Sequence, residues 1–144
     1  MVNVMNMQRP YSQLLERLRG VGLRPTRQRL ALAKLLFDGA GNRHVSAEML
    51  HGEALKNRMQ VSLATVYNTL HQFTGAGLLR EVVVDSGRSY FDTNVENHHH
   101  MYVEDTKKLV DIPDTGIHIK AMPAVPDGME VSRVDVIIRI NKSL

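Results

Sequence analysis

The sequence predicts an α+β chain in two parts: helices closed by a strand hairpin, then a small strand-rich remainder. Three observations carry this. Apolar residues recur at helical spacing in four segments before residue 75. The period then falls to two over "LLREVVV" and "RSYFD". It does so again over "HHHMYVE" and "KLVDI". A length of 144 residues allows one domain or two small ones, and 43% apolar residues excludes general disorder.

The helices follow in order. Ser12 is expected to cap the first, with Leu14, Leu15 and Leu18 inward and Gly20 and Gly22 as its stop. Thr26, after Pro25, caps a second that turns Leu30, Ala33 and Phe37 to one face and ends before Gly39. Ser46 starts a third, with Leu50, Ala54 and Leu55 inward. Ser62 starts a fourth, "LATVYNTLHQF", which stops near Gly75-Ala76-Gly77. There Leu63, Val66, Leu70 and Phe73 face the core, while Thr65, Tyr67, Asn68 and His71 point elsewhere. Asp85-Ser86-Gly87 then joins two strands as a hairpin.

Helix, short turn, helix, hairpin is the plan of a winged helix-turn-helix, whose second helix enters the major groove of DNA. Charge agrees. Residues 1–90 hold 12 Lys+Arg against 6 Asp+Glu, whereas residues 91–144 hold 6 against 9. A basic half suits a polyanion and an acidic half another task. Residues 62–73 are the expected reading helix. Thr65 and Asn68 are short enough to reach base edges, and Tyr67 offers a ring to a thymine methyl and a hydroxyl to a phosphate. Arg27, Arg58 and Arg88 are candidate phosphate contacts. The plain reading of the same residues is a small helical domain with solvated arginines.

The acidic half carries His98-His99-His100. On a strand His98 and His100 share a face and His99 takes the other. If Asp105-Thr106 is a two-residue hairpin loop, Glu104 pairs with Lys107, and the register sets His100 opposite Asp111. Asp92 is a further carboxylate nearby in sequence. With no cysteine in the chain, disulfides, thiolate zinc and cysteine nucleophiles are excluded. Imidazole and carboxylate together suit Fe²⁺, Mn²⁺ or Zn²⁺, and a histidine also suits haem iron. His51 and His71 read as hydrogen-bonding surface residues. No nucleophile or Gly-rich motif supports an enzyme. No apolar run nears a membrane span and the N-terminus lacks a signal-peptide core, so a cytoplasmic location is expected. A short helix around 114–122, ended by Pro123 and Pro126, and a closing strand in "MEVSRVDVIIRI" complete the chain. A unit this small is expected to pair with a second copy.

"GLRPTRQRLALAKLLF", "HVSAEML", "SLATVYNTLHQFTGAGLLRE", "GRSYFD" and "HHHMYVEDTKKLVDI" resemble the ferric uptake regulator family. The resemblance implies a DNA-binding winged helix over 1–92, a hinge over 93–97 and a dimerisation and sensing domain over 98–144. It implies a regulatory metal site at His44, Asp92, His98, His100 and Asp111. It implies DNA contacts from Arg27, Arg58, Ser62, Ala64, Thr65, Tyr67, Asn68 and Arg88, on an AT-rich operator. Val103 and Thr106 stand where many members carry the first CxxC pair, so Cys-type structural zinc is excluded. A further family site falls on Asn97, His99, His118 and Val134 and keeps no carboxylate. The histidine triplet, the missing cysteines and a shortened C-terminus resemble one branch, the iron response regulators of alphaproteobacteria. That likeness implies haem binding at His98, His99 and His100 and control of iron and haem genes. A metal-activated repressor that ignores haem, and a winged-helix dimer with a purely structural metal, are the alternatives.

Overall fold

The computed structural model describes residues 11–39 and 41–143, the side chain of Asp114 apart. The opening stretch 1–10, where a signal-peptide core was sought, lies outside them. Contacts divide the chain into two compact units, Met1–Val95 and Glu96–Leu144.

The first unit contains α1 (Ser12–Gly20), α2 (Arg27–Phe37), β1 (His44–Val45), α3 (Ala47–Lys56), α4 (Leu63–Gly75), β2 (Arg80–Asp85) and β3 (Arg88–Asp92). Three helix starts are closed by the residues the sequence predicts. Thr26 Oγ1 accepts from Arg29 N at 3.2 Å, Ser46 Oγ from Met49 N at 3.1 Å and Ser62 Oγ from Thr65 N at 3.1 Å. Each such cap contributes about 1 kcal/mol. The fourth start differs: Tyr11 is the N-cap of α1, without a side-chain cap bond, and Ser12 lies within the helix.

Helix ends repeat one motif. The residue after the C-cap of α1, α3 and α4 is Gly22, Arg58 and Gly77, with φ of +80°, +61° and +83°. The next N–H turns back in each case: Leu23 to Leu18 O at 2.9 Å, Met59 to Ala54 O at 3.0 Å and Leu78 to Phe73 O at 2.9 Å. Glycine accepts this left-handed backbone freely; arginine does so at a cost.

Leu18, Leu32, Ala33, Leu36, Val45, Leu50, Ala54, Val66, Leu70, Phe73 and Phe91 form the buried core of this unit. Two inward assignments are corrected. The buried face of α2 is Leu32, Ala33 and Leu36, with Leu30 and Phe37 packed at its margin. In α3, Ala47, Leu50 and Ala54 face inward, so Leu55, about 100° further round the helix, is 53% exposed.

The strands form a sheet of order β1-β3-β2, with registers His44↔Asp92, Val45↔Phe91 and Arg80↔Asp92. Strand β1 was not expected, because two residues show no period. Val45 and Phe91 enter the helical core, so alternation sends His44, Asp92 and Arg80 to the opposite face. The β2–β3 turn rests on Gly87 at φ +81°, in the region where a side chain is strained.

The second unit has β4 (His99–Val103), β5 (Lys108–Ile112), a 3₁₀ turn at Asp114–Gly116 and β6 (Ile137–Ile140), in sheet order β5-β4-β6. Strand β4 runs antiparallel to β5 and parallel to β6. The predicted register holds, with His100 opposite Asp111, but regular pairing begins at Val103↔Lys108. The connection is therefore the four residues 104–107, with Lys107 at φ +54°, not the two-residue loop. Both closures keep the same pairing line, which is why the register survives. The helix expected over 114–122 reduces to the 3₁₀ turn, and Ile117 is already extended at φ −136°. Of "MEVSRVDVIIRI" only Ile137–Ile140 is a strand, matched in length to His100–Val103 of β4. Among the described residues no helix is long and apolar enough to cross a membrane.

Candidate metal centre and nucleic-acid interface

Each unit presents its own group of histidine and aspartate side chains, residue types able to hold a metal. In the first, the β1–β3 register sets His44 beside Asp92, with His44 Nε2 3.2 Å from Asp92 Oδ2. Asp92 is wholly buried, and its Oδ1 accepts from Asn94 N at 2.9 Å. The row beside this pair is bolted to the helices. Arg43 N donates to Thr93 Oγ1 at 2.9 Å and Thr93 N donates to Arg43 O at 3.0 Å. The Arg43 guanidinium grips both oxygens of Glu53 at 2.9 and 2.7 Å and the Leu35 carbonyl at 3.0 Å. The fork thereby joins the ends of β1 and β3 to α3 and to the last turn of α2.

In the second unit His98, His100 and Asp111 converge. Asp111 Oδ1 lies 3.1 Å from His98 Nε2 and 3.2 Å from His100 Nε2, and the two rings are 4.5 Å apart. Both histidines are buried. His98 Nδ1 donates to the Glu96 carbonyl at 2.6 Å, so this nitrogen carries a proton. Its Nε2 therefore faces a carboxylate oxygen and needs a proton or a cation between them. Histidines that ligate metals are commonly held in this way, one nitrogen fixed by a carbonyl and the other left for an ion. His99 is wired the other way, its Nδ1 accepting from Val136 N at 3.1 Å. Its lone pair is thus spent on the link between β4 and the approach to β6. Imidazole and carboxylate without sulfur fit Fe²⁺, Mn²⁺ or Zn²⁺.

The expected DNA contacts all lie in the first unit. Arg27, Arg58, Ala64, Asn68 and Arg88 are exposed, Ser62 is exposed as the cap of α4, and Thr65 and Tyr67 are half-buried. Tyr67 O–H donates to Glu48 Oε1 at 3.0 Å. This hydrogen bond, with burial and the negative charge of Glu48 behind it, raises the phenol above its ordinary 10.0. A cavity of about 440 Å³ opens beside α4, lined by Arg24, Thr26, Gln28, Arg29, Asn68 and Gln72 among others. Arg29 spans it, donating to Gln72 Oε1 at 3.2 and 2.9 Å and to the Arg24 carbonyl at 2.7 Å. Arg29 and Arg43 were not singled out in the sequence, where they are two arginines among many. His51 and His71 are hydrogen-bonding or polar residues, His51 Nε2 meeting Val61 O at 2.9 Å and His71 being exposed.

Residues 20–139 match the ferric uptake regulator family. The chain belongs to that family. The ferric uptake regulation protein of Shigella flexneri is 34% identical over 104 residues, covering 72% of this chain and 70% of that protein. That of Pseudomonas aeruginosa is 32% identical over 127 residues, covering 87% and 94%. The structure of the Pseudomonas aeruginosa ferric uptake regulator with manganese aligns at a TM-score of 0.66 and 28% identity, over 89% of this chain and 96% of that one. Ferric uptake regulator family proteins are metal-responsive transcription regulators that bind DNA and act as dimers.

Proposed function

We propose that this chain is a dimeric DNA-binding regulator of iron-homeostasis genes whose grip on an AT-rich operator is set by a divalent ion. The observation that carries the reading is the second unit's trio, in which His98 Nδ1 is pinned by a carbonyl while two imidazole Nε2 atoms meet one carboxylate oxygen. Three ligands there and two at His44 and Asp92 are each an incomplete set for Fe²⁺ or Mn²⁺, which take about six. One ion shared by the pair and the trio would supply a cross-link between reading unit and sensing unit. By binding only arrangements in which both groups reach it, it favours one geometry of the reading heads through differential affinity. Arg27, Arg58 and Arg88 would hold phosphates, and α4 would read bases through Thr65, Tyr67 and Asn68, flanked by Ser62 and Ala64. For the dimer, the exposed Val110, Ile138 and Ile140 on the small second sheet are apolar area suited to a second copy.

The test is operator affinity by fluorescence anisotropy with Mn²⁺, with haem and with a chelator. Mn²⁺ should tighten binding at least tenfold in the wild type and not in H98A/H100A; equal affinity with ion and chelator would reject metal control. Haem is the second reading, placing this chain with the iron response regulators, and it rests on the triplet His98, His99 and His100. It requires His99 to surrender its bond from Val136 N, or His98 and His100 to leave Asp111. A Soret shift lost in the triple alanine variant, with operator release on haem addition, would put haem in place of the ion.

A further inference from the structure

One buried charge in the first unit has no place in the ligand set above. Arg80 is 4% exposed and stands in register with Asp92, which is wholly buried. Asp92 in turn pairs with His44 across β1 and β3. The three side chains therefore line up across the sheet on the face opposite Val45 and Phe91, with the carboxylate in the middle. The next row, Val82↔Tyr90, is buried and apolar. Register partners bring their Cβ atoms to about 4.5–5.5 Å. Arginine and aspartate rarely leave water together unless each compensates the other.

We propose that Arg80 is the resident counter-ion of Asp92, a positioning residue that compensates the carboxylate in the metal-free chain and lowers the site's affinity for a divalent ion. This rests on the reading of His44 and Asp92 as ligands. Arginine keeps its charge at every working pH, so the compensation is permanent. A divalent ion that joins Asp92 meets a like charge in the same row, where little water screens the repulsion. Part of the binding free energy is lost there. The affinity of the site is thus set by a residue that is not itself a ligand, and the ion can leave when its concentration falls.

The test is Mn²⁺ binding to the full-length protein, by competition against a fluorescent chelator and by loss of the free-ion electron paramagnetic resonance signal. R80M, which keeps length and removes charge, should bind Mn²⁺ about tenfold more tightly than wild type, while its metal-free form melts at lower temperature. R80K should keep the wild-type affinity. Equal or weaker binding in R80M overturns the proposal. If R80M fails to fold, the R80M/D92N protein decides: recovered folding supports the pairing, and continued failure overturns it. D92A measures the underlying reading separately. If it retains wild-type Mn²⁺ affinity, Asp92 is not a ligand and both ideas fall; if it loses binding while R80M is unchanged, only the counter-ion role is lost.

Discussion

Arg58 holds a backbone angle that the ends of α1 and α4 assign to glycine. An arginine in the left-handed region costs about 1–2 kcal/mol relative to a relaxed residue. A cost kept at one helix end and avoided at two others suggests a side chain retained for contact, as strained positions often are. Arg58→Gly should therefore raise stability by about 1 kcal/mol in urea denaturation while weakening operator binding and reducing its salt slope by about 1. A less stable variant, or unchanged binding, would remove Arg58 from the phosphate contacts. Tyr67 makes a second residue-scale case. Its phenol is raised first by the hydrogen bond to Glu48, then by burial and the charge of Glu48. The protonated form is thus favoured in the fold, so this contribution is full below the ordinary 10.0 and is lost as pH climbs through the raised value. Ultraviolet titration of Glu48→Gln against wild type, with Tyr67→Phe to identify the signal, should show Tyr67 ionising at lower pH in the variant.

Elements divide by how local their causes are. The caps at Thr26, Ser46 and Ser62, and the His100–Asp111 register, were legible because each depends on residues a few positions apart or on the parity of a hairpin. Strand β1 was not, since its two residues become a strand only by lying against β3. The 114–122 segment also departs from its reading: a short helix ended by Pro123 and Pro126 was expected, but the chain turns once and extends. Inward faces were read only in part: Leu55 was placed inside beside Ala54, but of the two Ala54 alone is buried, because they lie about 100° apart around the helix. Of the candidate ligands, His100 and Asp111 followed from pattern alone, whereas His44 came only through family likeness. Arg43 and Glu53 were invisible because a salt bridge from the residue before β1 to α3 leaves no periodic trace. Their fork gives an element-scale prediction. Arg43→Lys keeps the charge but loses the bidentate grip. By loosening the anchor beside His44 it should weaken Mn²⁺ binding, measured by chelator competition; affinity equal to wild type would make the fork a stability feature only.

At the scale of the whole molecule, metal and fold are linked by mass action. An ion that binds the folded chain alone stabilises it by about 2.7 kcal/mol at one hundred times its dissociation constant. Melting temperature should then rise with Mn²⁺ in the wild type and stay flat in His98→Ala or Asp111→Ala, as followed by calorimetry. A parallel rise in both variants would assign the effect to ions elsewhere on the surface. The charge division belongs to this scale too: residues 1–90 carry 12 cations against 6 anions and residues 91–144 carry 6 against 9, so a polyanion is favoured by the first stretch and not by the second.

The parallel pairing of β4 with β6 has a kinetic consequence. Strand β5 reaches β4 through a four-residue turn, whereas β6 must return across residues 113–136, pairing His100 with Ile137. Closing the longer loop costs more chain entropy before any contact repays it. Strand β6 is thus expected to dock after β5 and to detach before it, and amide exchange at Ile138–Ile140 should run ahead of exchange in β5. Each detachment also frees His99, whose lone pair is held by Val136 only while β6 is in place.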